Sequence, residues 1–533
     1  MTRRLAIAAI CLCLASCSTT PPAYAPTQSP SAPAFDLEEA TIADLQKRME
    51  SGRETARSIV DKYLARIEAI DRQGPALHSV IETNPDAGSI ADALDAERKA
   101  GKVRGPMHGI PVLIKDNIAT ADRMTTTAGS LALEGSIPEK DAFIVTQLRA
   151  AGAVILGKAN LSEWANIRSR HSSSGWSARG GQAKNPYALD RNTSGSSSGS
   201  GAAAAANLAA VTIGSETDGS IVSPSSVNGI VGIKPTIGLV SRTGIIPISH
   251  TQDTAGPMTR TVADAAIVLG ALTGADTADQ VTAASKDKGL RDYSKFLDAG
   301  GLKGARLGIV RKGMTGYSPG ADRILETAVA DLKRLGATIV DPADIPTMDK
   351  MGAGELDVML YELKNDLPNY FAWAGPKTTV RSLADVIAFN TANPDKEMPY
   401  FGQDLFEKAQ AMGGLTDKAY LAALANGLRL ARQEGIDAVM DKHKLDALVA
   451  PTDAPAWLTD HINGDKYLGG SSTPAAIAGY PHVTVPGGFV SGLPVGISFF
   501  GRAWSEPTLI KLAYSYEQGT RHRKPPKLLA TAQ

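Results

Sequence analysis

Gly201-Ala202-Ala203-Ala204-Ala205-Ala206-Asn207-Leu208-Ala209-Ala210, followed at once by Val211-Thr212-Ile213-Gly214, reads as an alanine-rich helix running into an apolar strand. Alanine is the best helix former, and Val, Thr and Ile favour the pleated, half-buried setting of a strand. The same alternation continues outward. Pro111 to Lys115 and Val154 to Lys158 read as short buried strands, with a helix over Ala142 to Ala151. Ile230 to Ile233, Arg306 to Val310, Thr338 to Val340 and Ala447 to Ala450 read as later strands, and Asp322 to Leu335 has helical periodicity. Strands alternating with helices predict an α/β fold: a single large domain whose mixed, mostly parallel central sheet is covered by helices on both faces.

Upstream, Leu37 to Met49, Ala56 to Ile70 and Ile81 to Gly101 read as packing helices, with Thr55 as an N-cap. Residues 350–440 are helical in pattern and poor in strand signals, which predicts a cap over the sheet edge that shapes a cleft. No internal repeat, heptad or second linker interrupts the chain, so one domain is expected over residues 36–530.

The 55 basic and 55 acidic residues balance in this 533-residue chain, and nothing in that balance favours nucleic acid. The three cysteines, Cys11, Cys13 and Cys17, all lie at the N-terminus, so the folded domain has no disulfide. Arg3 and Arg4 precede a short apolar stretch, Leu5 to Leu14, too short to span a bilayer. Leu14-Ala15-Ser16-Cys17 resembles a bacterial lipobox. Residues 1–17 are therefore expected to be a lipoprotein-type signal and residues 18–35, rich in Pro, Ala, Ser and Thr, an extended tether. On that expectation the protein is exported and lipid-anchored through Cys17, with Ser18 favouring the outer membrane.

Three stretches carry chemistry. The run Ser194-Gly195-Ser196-Ser197-Ser198-Gly199-Ser200-Gly201 has the composition of a flexible linker, yet it lies inside dense α/β sequence and opens directly into a helix. It also satisfies G-x-S-x-G and imitates a dinucleotide fingerprint, but the strand that both motifs need beforehand is missing. Gly214-Ser215-Glu216-Thr217-Asp218-Gly219-Ser220-Ile221 places a serine after an Asp-Gly turn at a strand end, where successive N–H groups can converge on an anion. Lys115 ends a buried strand. Burial lowers a lysine's pKa and makes it a competent base, unless an ion pair with Asp116 keeps it charged. The eight histidines show no metal-ligand spacing.

These three motifs, in this order, resemble the amidase signature family, and within it the bacterial peptide amidases, over residues 40 to 520. The likeness extends to Gln252-Asp253-Thr254-Ala255-Gly256-Pro257-Met258, to Ala478-Gly479-Tyr480-Pro481 with Val483 to Gly488, and to Gly492 to Ile497. The two key serines, Ser196 and Ser220, also have the family's separation. The resemblance implies hydrolysis of a carboxamide C–N bond without metal or organic cofactor. It makes Ser220 the nucleophile, Ser196 a relay held by a cis peptide bond after Gly195, and Lys115 the base. The backbone N–H groups of Thr217, Asp218, Gly219 and Ser220 become the oxyanion hole, and Ser197 supports the lysine network. The implied substrate is a peptide C-terminal amide or another small amide, with no obligate protein partner. Acylamides, aryl amides and a non-catalytic binding role are the alternatives. One departure stands out. Many members read Gly-Gly-Ser-Ile-Arg at the nucleophile, where this chain reads Asp218-Gly219-Ser220-Ile221-Val222.

Overall fold

The structure is a computed structural model that describes residues 35–533. The expected signal, the lipidation at Cys17 and nearly all of the tether lie outside the described residues. Phe35 itself is packed, edge-on to Tyr63 and under Arg66.

Eleven strands form one sheet: β1 (Val80–Thr83), β2 (Pro111–Lys115), β3 (Val154–Ala159), β4 (Val211–Glu216), β5 (Val231–Lys234), β6 (Thr254–Thr259), β7 (Arg306–Ile309), β8 (Thr338–Val340), β9 (Ala447–Pro451), β10 (His482–Val490) and β11 (Leu493–Phe500). Their order across the sheet is β1-β3-β2-β4-β6-β5-β10-β11-β9-β7-β8. The sheet is mixed. Its parallel pairings gather in two wings, β3-β2-β4 and β9-β7-β8, where helical crossovers join the strands. The centre is antiparallel, because β6 and the β10–β11 hairpin run against their neighbours.

The hairpin was hidden in the sequence, since Pro486 and Gly487 break the alternation. Its turn is nonetheless regular: Ser491 and Gly492 both take left-handed φ, 48° and 74°, the geometry that matches the strand twist. Helices cover both faces. Ser198–Ala205 and Val222–Val227 pack on one, and Val262–Leu272, Pro319–Arg334 and Glu506–Thr520 pack together on the other.

Two expected elements differ. The helix anticipated over Ile81 to Gly101 is an edge strand, β1, followed by a helix at Ala87–Lys99. Pro85 separates them, and the β-branched residues before it pair antiparallel with β3. The alanine-rich helix begins earlier and ends sooner than expected, at Ser198–Ala205. It stops because Asn207 turns left-handed (φ 59°) and its side-chain oxygen accepts the Glu39 N–H at 2.8 Å.

Helices Glu355–Ala374, Leu383–Ala392, Asp404–Ala411 and Lys418–Ala431 follow β8. The first three carry a separate apolar cluster that packs Leu363, Leu367, Phe371 and Phe406 against Leu133, Trp164 and Ile248. Arg168 is fully buried beneath them. It reaches Glu163 at 2.7 Å and Glu397 at 3.6 Å, with its guanidinium 4.2 Å from the Phe401 ring. Among the described residues, no helix is long and apolar enough to cross a membrane.

Candidate active site

β2 and β4 are parallel neighbours, so their C-terminal ends open on the same edge, where open α/β sheets bind ligands. Lys115 is the last residue of β2. Ser215 and Glu216 end β4, and the turn carrying Ser220 follows directly. The serine-glycine run crosses between them and starts the helix Ser198–Ala205.

The run is a rigid, buried segment, not a linker. The Gly195–Ser196 peptide bond is cis. A Cβ on Gly195 would lie 2.1 Å from Ser162 Oγ, and one on Gly199 2.3 Å from the Ser79 carbonyl oxygen. Gly199 therefore excludes any side chain, and a side chain at Gly195 would have to displace Ser162.

Lys115 is fully buried and has no carboxylate within ion-pair distance among the described residues. Asp116 turns the other way, to Thr127, Arg179 and the Gly129 N–H. The Lys115–Asp116 ion pair does not form. Instead Lys115 Nζ lies 2.7 Å from Ser196 Oγ, 3.1 Å from the Ser215 carbonyl oxygen and 3.0 Å from Ser215 Oγ. Ser215 Oγ also accepts from Asn117 Nδ2 at 2.9 Å. Burial lowers the lysine's pKa to about 7, against the opposing charges of Asp253 and Glu216. A neutral amine has two N–H donors and one lone pair. Donation to the Ser215 carbonyl and hydroxyl leaves the lone pair free for the Ser196 O–H. Ser197 acts one step back: its Oγ donates to the Ser215 carbonyl at 3.0 Å and accepts the Ser215 N–H at 3.2 Å.

The turn Thr217 to Ser220 is clamped from three sides. Gly219 has φ +79°, a conformation that favours glycine. Thr217 Oγ1 donates to Asp253 Oδ1 at 2.6 Å, and Thr473 Oγ1 donates to Asp218 Oδ2 at 2.7 Å. Glu216 Oε2 accepts the Ile221 and Val222 N–H groups at 2.7 and 3.0 Å, fixing the start of the next helix. The Ser220 carbonyl accepts the Ser197 N–H at 3.1 Å, which ties the turn to the serine run. Among the described residues, nothing accepts the N–H groups of Thr217, Asp218, Gly219 or Ser220. Ser220 is 8% exposed, while Ser196 is fully buried.

A cleft of ≈ 260 Å³ has Asn117, Ser196, Ser215 and Thr217 in its floor, with Ile246 and Ile248 in its wall. Ser220, three residues beyond Thr217, is not a wall residue. His250 faces the cleft but is held by Asp366 at 2.7 Å. Among the described residues no histidine hydrogen-bonds Ser196 or Ser220, and no cluster of His, Cys, Asp and Glu could hold a metal ion. Asp253 closes the network from below. It accepts the Ile248 and Ser249 N–H groups at 2.8 Å each, and burial lifts its pKa to about 6. Ser215 and Asp253 were inside the quoted stretches and Asn117 lies two residues past Lys115, but nothing in their spacing marks them as partners of Lys115.

A large mixed α/β domain with this site at its strand ends defines a hydrolase acting on carbon–nitrogen bonds in linear amides. The sequence profile of the family described as Amidase matches residues 58–510. The chain belongs to that amidase family. It is 45% identical to a probable amidase of Arabidopsis thaliana, with 93% of each chain covered. It is 39% identical to a putative amidase of Schizosaccharomyces pombe, covering 92% of this chain and 87% of the relative. Among solved structures, native peptide amidase from Stenotrophomonas maltophilia superposes with a TM-score of 0.87 at 51% identity, covering 92% of this chain and 99% of that one.

These relatives correct one expectation. An exported, lipid-anchored protein of the bacterial envelope was inferred from residues 1–18 alone. The similarity that defines this chain is instead shared with plant and fungal amidases and rests on residues 58–510. The envelope location and the anchor through Cys17 are withdrawn.

Proposed function

We propose that the protein deamidates peptide C-terminal amides through Ser220, Ser196 and Lys115. The observation that carries this reading is a fully buried lysine, 2.7 Å from Ser196 Oγ, with its pKa lowered to about 7 and no carboxylate partner among the described residues. Such a lysine is a base at neutral pH. The likeness to a peptide amidase over nearly the whole chain supports the substrate class.

In this mechanism Ser220 Oγ attacks the amide carbon as its proton passes to Ser196 Oγ, whose own proton passes to Lys115 Nζ. The carbonyl becomes an oxyanion facing the N–H groups of the Thr217–Ser220 turn. The protons return along the same route to the leaving nitrogen, the C–N bond breaks and ammonia departs. Water then attacks the acyl-enzyme ester, giving up a proton through the relay, and the freed Ser220 oxygen regains one. Ser197 and Asn117 hold Ser215, and Ser215 orients the lysine. The helix Glu355–Ala374 bounds the cleft through Asp366 and Asn369 and helps select the acyl group.

The test is ammonia release from a panel of peptide amides and simple carboxamides, with Ser220→Ala alongside. Release from peptide amides by the wild type alone supports the reading. Release only from small or aryl amides keeps the amidase and overturns the peptide substrate.

A further inference from the structure

Beyond the serines and the lysine, several buried oxygens near the nucleophile's turn have no hydrogen-bond partner among the described residues, Asp453 Oδ2, Asp218 Oδ1 and Tyr317 OH among them. Unpaired buried polar atoms are costly and uncommon. These three belong to one neighbourhood, where charges on Asp453 and Asp218 repel each other and Asp453 acts on the Tyr317 hydroxyl.

Asp453 stands two residues beyond β9 and is 1% exposed. Its Oδ1 accepts the Tyr467 O–H at 3.0 Å. Ser223 faces the same carboxylate, and Ser223 packs against the nucleophile's turn: a Cβ on Gly219 would come within 3.0 Å of Ser223 Oγ and of Ser472 Oγ. The carboxylate thus lies one side chain from the Ser220 turn. The space beside it is kept by glycine, since a Cβ on Gly470 would sit 2.3 Å from both Asp453 Oδ1 and Tyr467 OH. The neighbourhood reaches the surface through Tyr467, a residue 48% exposed whose hydroxyl is held inside by Asp453. Burial, with Asp218 and Glu216 nearby, pushes the Asp453 carboxyl up to about 8 although Ser223 and Tyr467 favour its charged form, so the site is short of positive charge. The relay, the oxyanion turn and the cleft beside Ser196 make no use of it.

We infer that Asp453 is a specificity-determining residue whose Oδ2 accepts a hydrogen bond from the nitrogen on the α-carbon of the substrate's acyl part. Asp218 Oδ1 and Tyr317 OH complete a polar pocket on that side of the nucleophile. The donor is either the α-ammonium of an amino-acid amide or the backbone N–H of a longer peptide amide. Both present an N–H at the same position, and a plain carboxamide presents none. This inference rests on the peptide-amide reading above and adds to it what distinguishes a peptide amide from any other amide.

The test uses three primary amides with one side chain: phenylalaninamide, N-acetylphenylalaninamide and 3-phenylpropanamide, which lacks the α-nitrogen. Wild type is compared with Asp453→Ala and Asp453→Asn by kcat/KM for each. Wild type is expected to prefer the α-nitrogen substrates. Asp453→Ala is expected to lose that preference by about ten- to hundredfold, the effect of losing a hydrogen bond to a charged group, while its rate on 3-phenylpropanamide stays within about twofold. Asp453→Asn keeps an acceptor but no charge. If it spares the acetylated substrate and loses phenylalaninamide, the donor is the ammonium. If it spares both, the hydrogen bond suffices without the charge and the peptide N–H is the donor served.

An equal fall on all three amides in both variants would make Asp453 structural and overturn the inference. So would an Asp453→Ala variant that keeps the wild-type preference. Wild-type preference for 3-phenylpropanamide would instead overturn the peptide-amide reading itself, before any variant is compared.

Discussion

In the proposed mechanism Lys115 is the base that the two serines serve. Its burial lowers its pKa to about 7, and three oxygens of Ser196 and Ser215 surround the amine. Ser220→Ala is expected to lower kcat by about four to six orders of magnitude with the fold intact, as removal of a nucleophile does. Lys115→Ala should cost about two to four orders, the usual contribution of a general base. A purified Lys115→Ala enzyme with wild-type kcat would remove the lysine from the mechanism. For wild type, kcat/KM should rise with pH through about 7, because the folded lysine loses its proton there and only the neutral form accepts one. Asp253 opposes that loss, since its negative charge favours the protonated lysine. In Asp253→Asn the acid limb of the pH–rate profile should therefore move to lower pH. A shift upward, or none, would show that the carboxylate does not act on Lys115.

At the scale of the element, the site depends on how closely the serine run can cross β2, β3 and β4. Gly199 lies in the first turn of the helix Ser198–Ala205, where a Cβ would lie within 2.6 Å of three backbone atoms, Ser79 O, Asn160 O and Asn160 N. Backbone cannot yield as a side-chain tip can. Gly199→Ala should lower the unfolding free energy by about 1–3 kcal/mol, read from the urea midpoint, and displace Ser196 and Ser197. A variant with unchanged midpoint and activity would show that the helix start can shift freely. The residues of this segment were legible in the sequence, because serine and glycine packed between apolar elements make no sense as a linker. The strand β1 and the β10–β11 hairpin were not. Four residues, Val80–Thr83, are too few to show a period, and Pro486 and Gly487 mask the alternation of β10.

Across the whole molecule, the helices that follow β8 are fastened to the serine-bearing half by Arg168. That side chain is fully buried, carries two carboxylates and lies over Phe401. Taking away one member of such a group strands the others in a dry interior. Arg168→Ala is expected to cost about 3–5 kcal/mol of stability, measured by denaturant unfolding. A loss below about 1 kcal/mol would show that Glu163 and Glu397 relax without it.

The amino-acid sequence by itself determined the α/β class, the family, and the three short stretches from which the site is built. Each of these depends on local order: strand and helix periods, a glycine turn at a strand end, and motifs of a few residues. Only the tertiary structure decided the antiparallel centre of the sheet and that Lys115 faces Ser196 and Ser215 instead of its neighbour Asp116. It alone brought Asp253 under Thr217 and Asp453 beside Ser223. The physical reason is that burial and hydrogen-bond partners are properties of space. Asp453 lies 230 residues beyond Ser223 along the chain, and no period or motif connects them until the sheet closes.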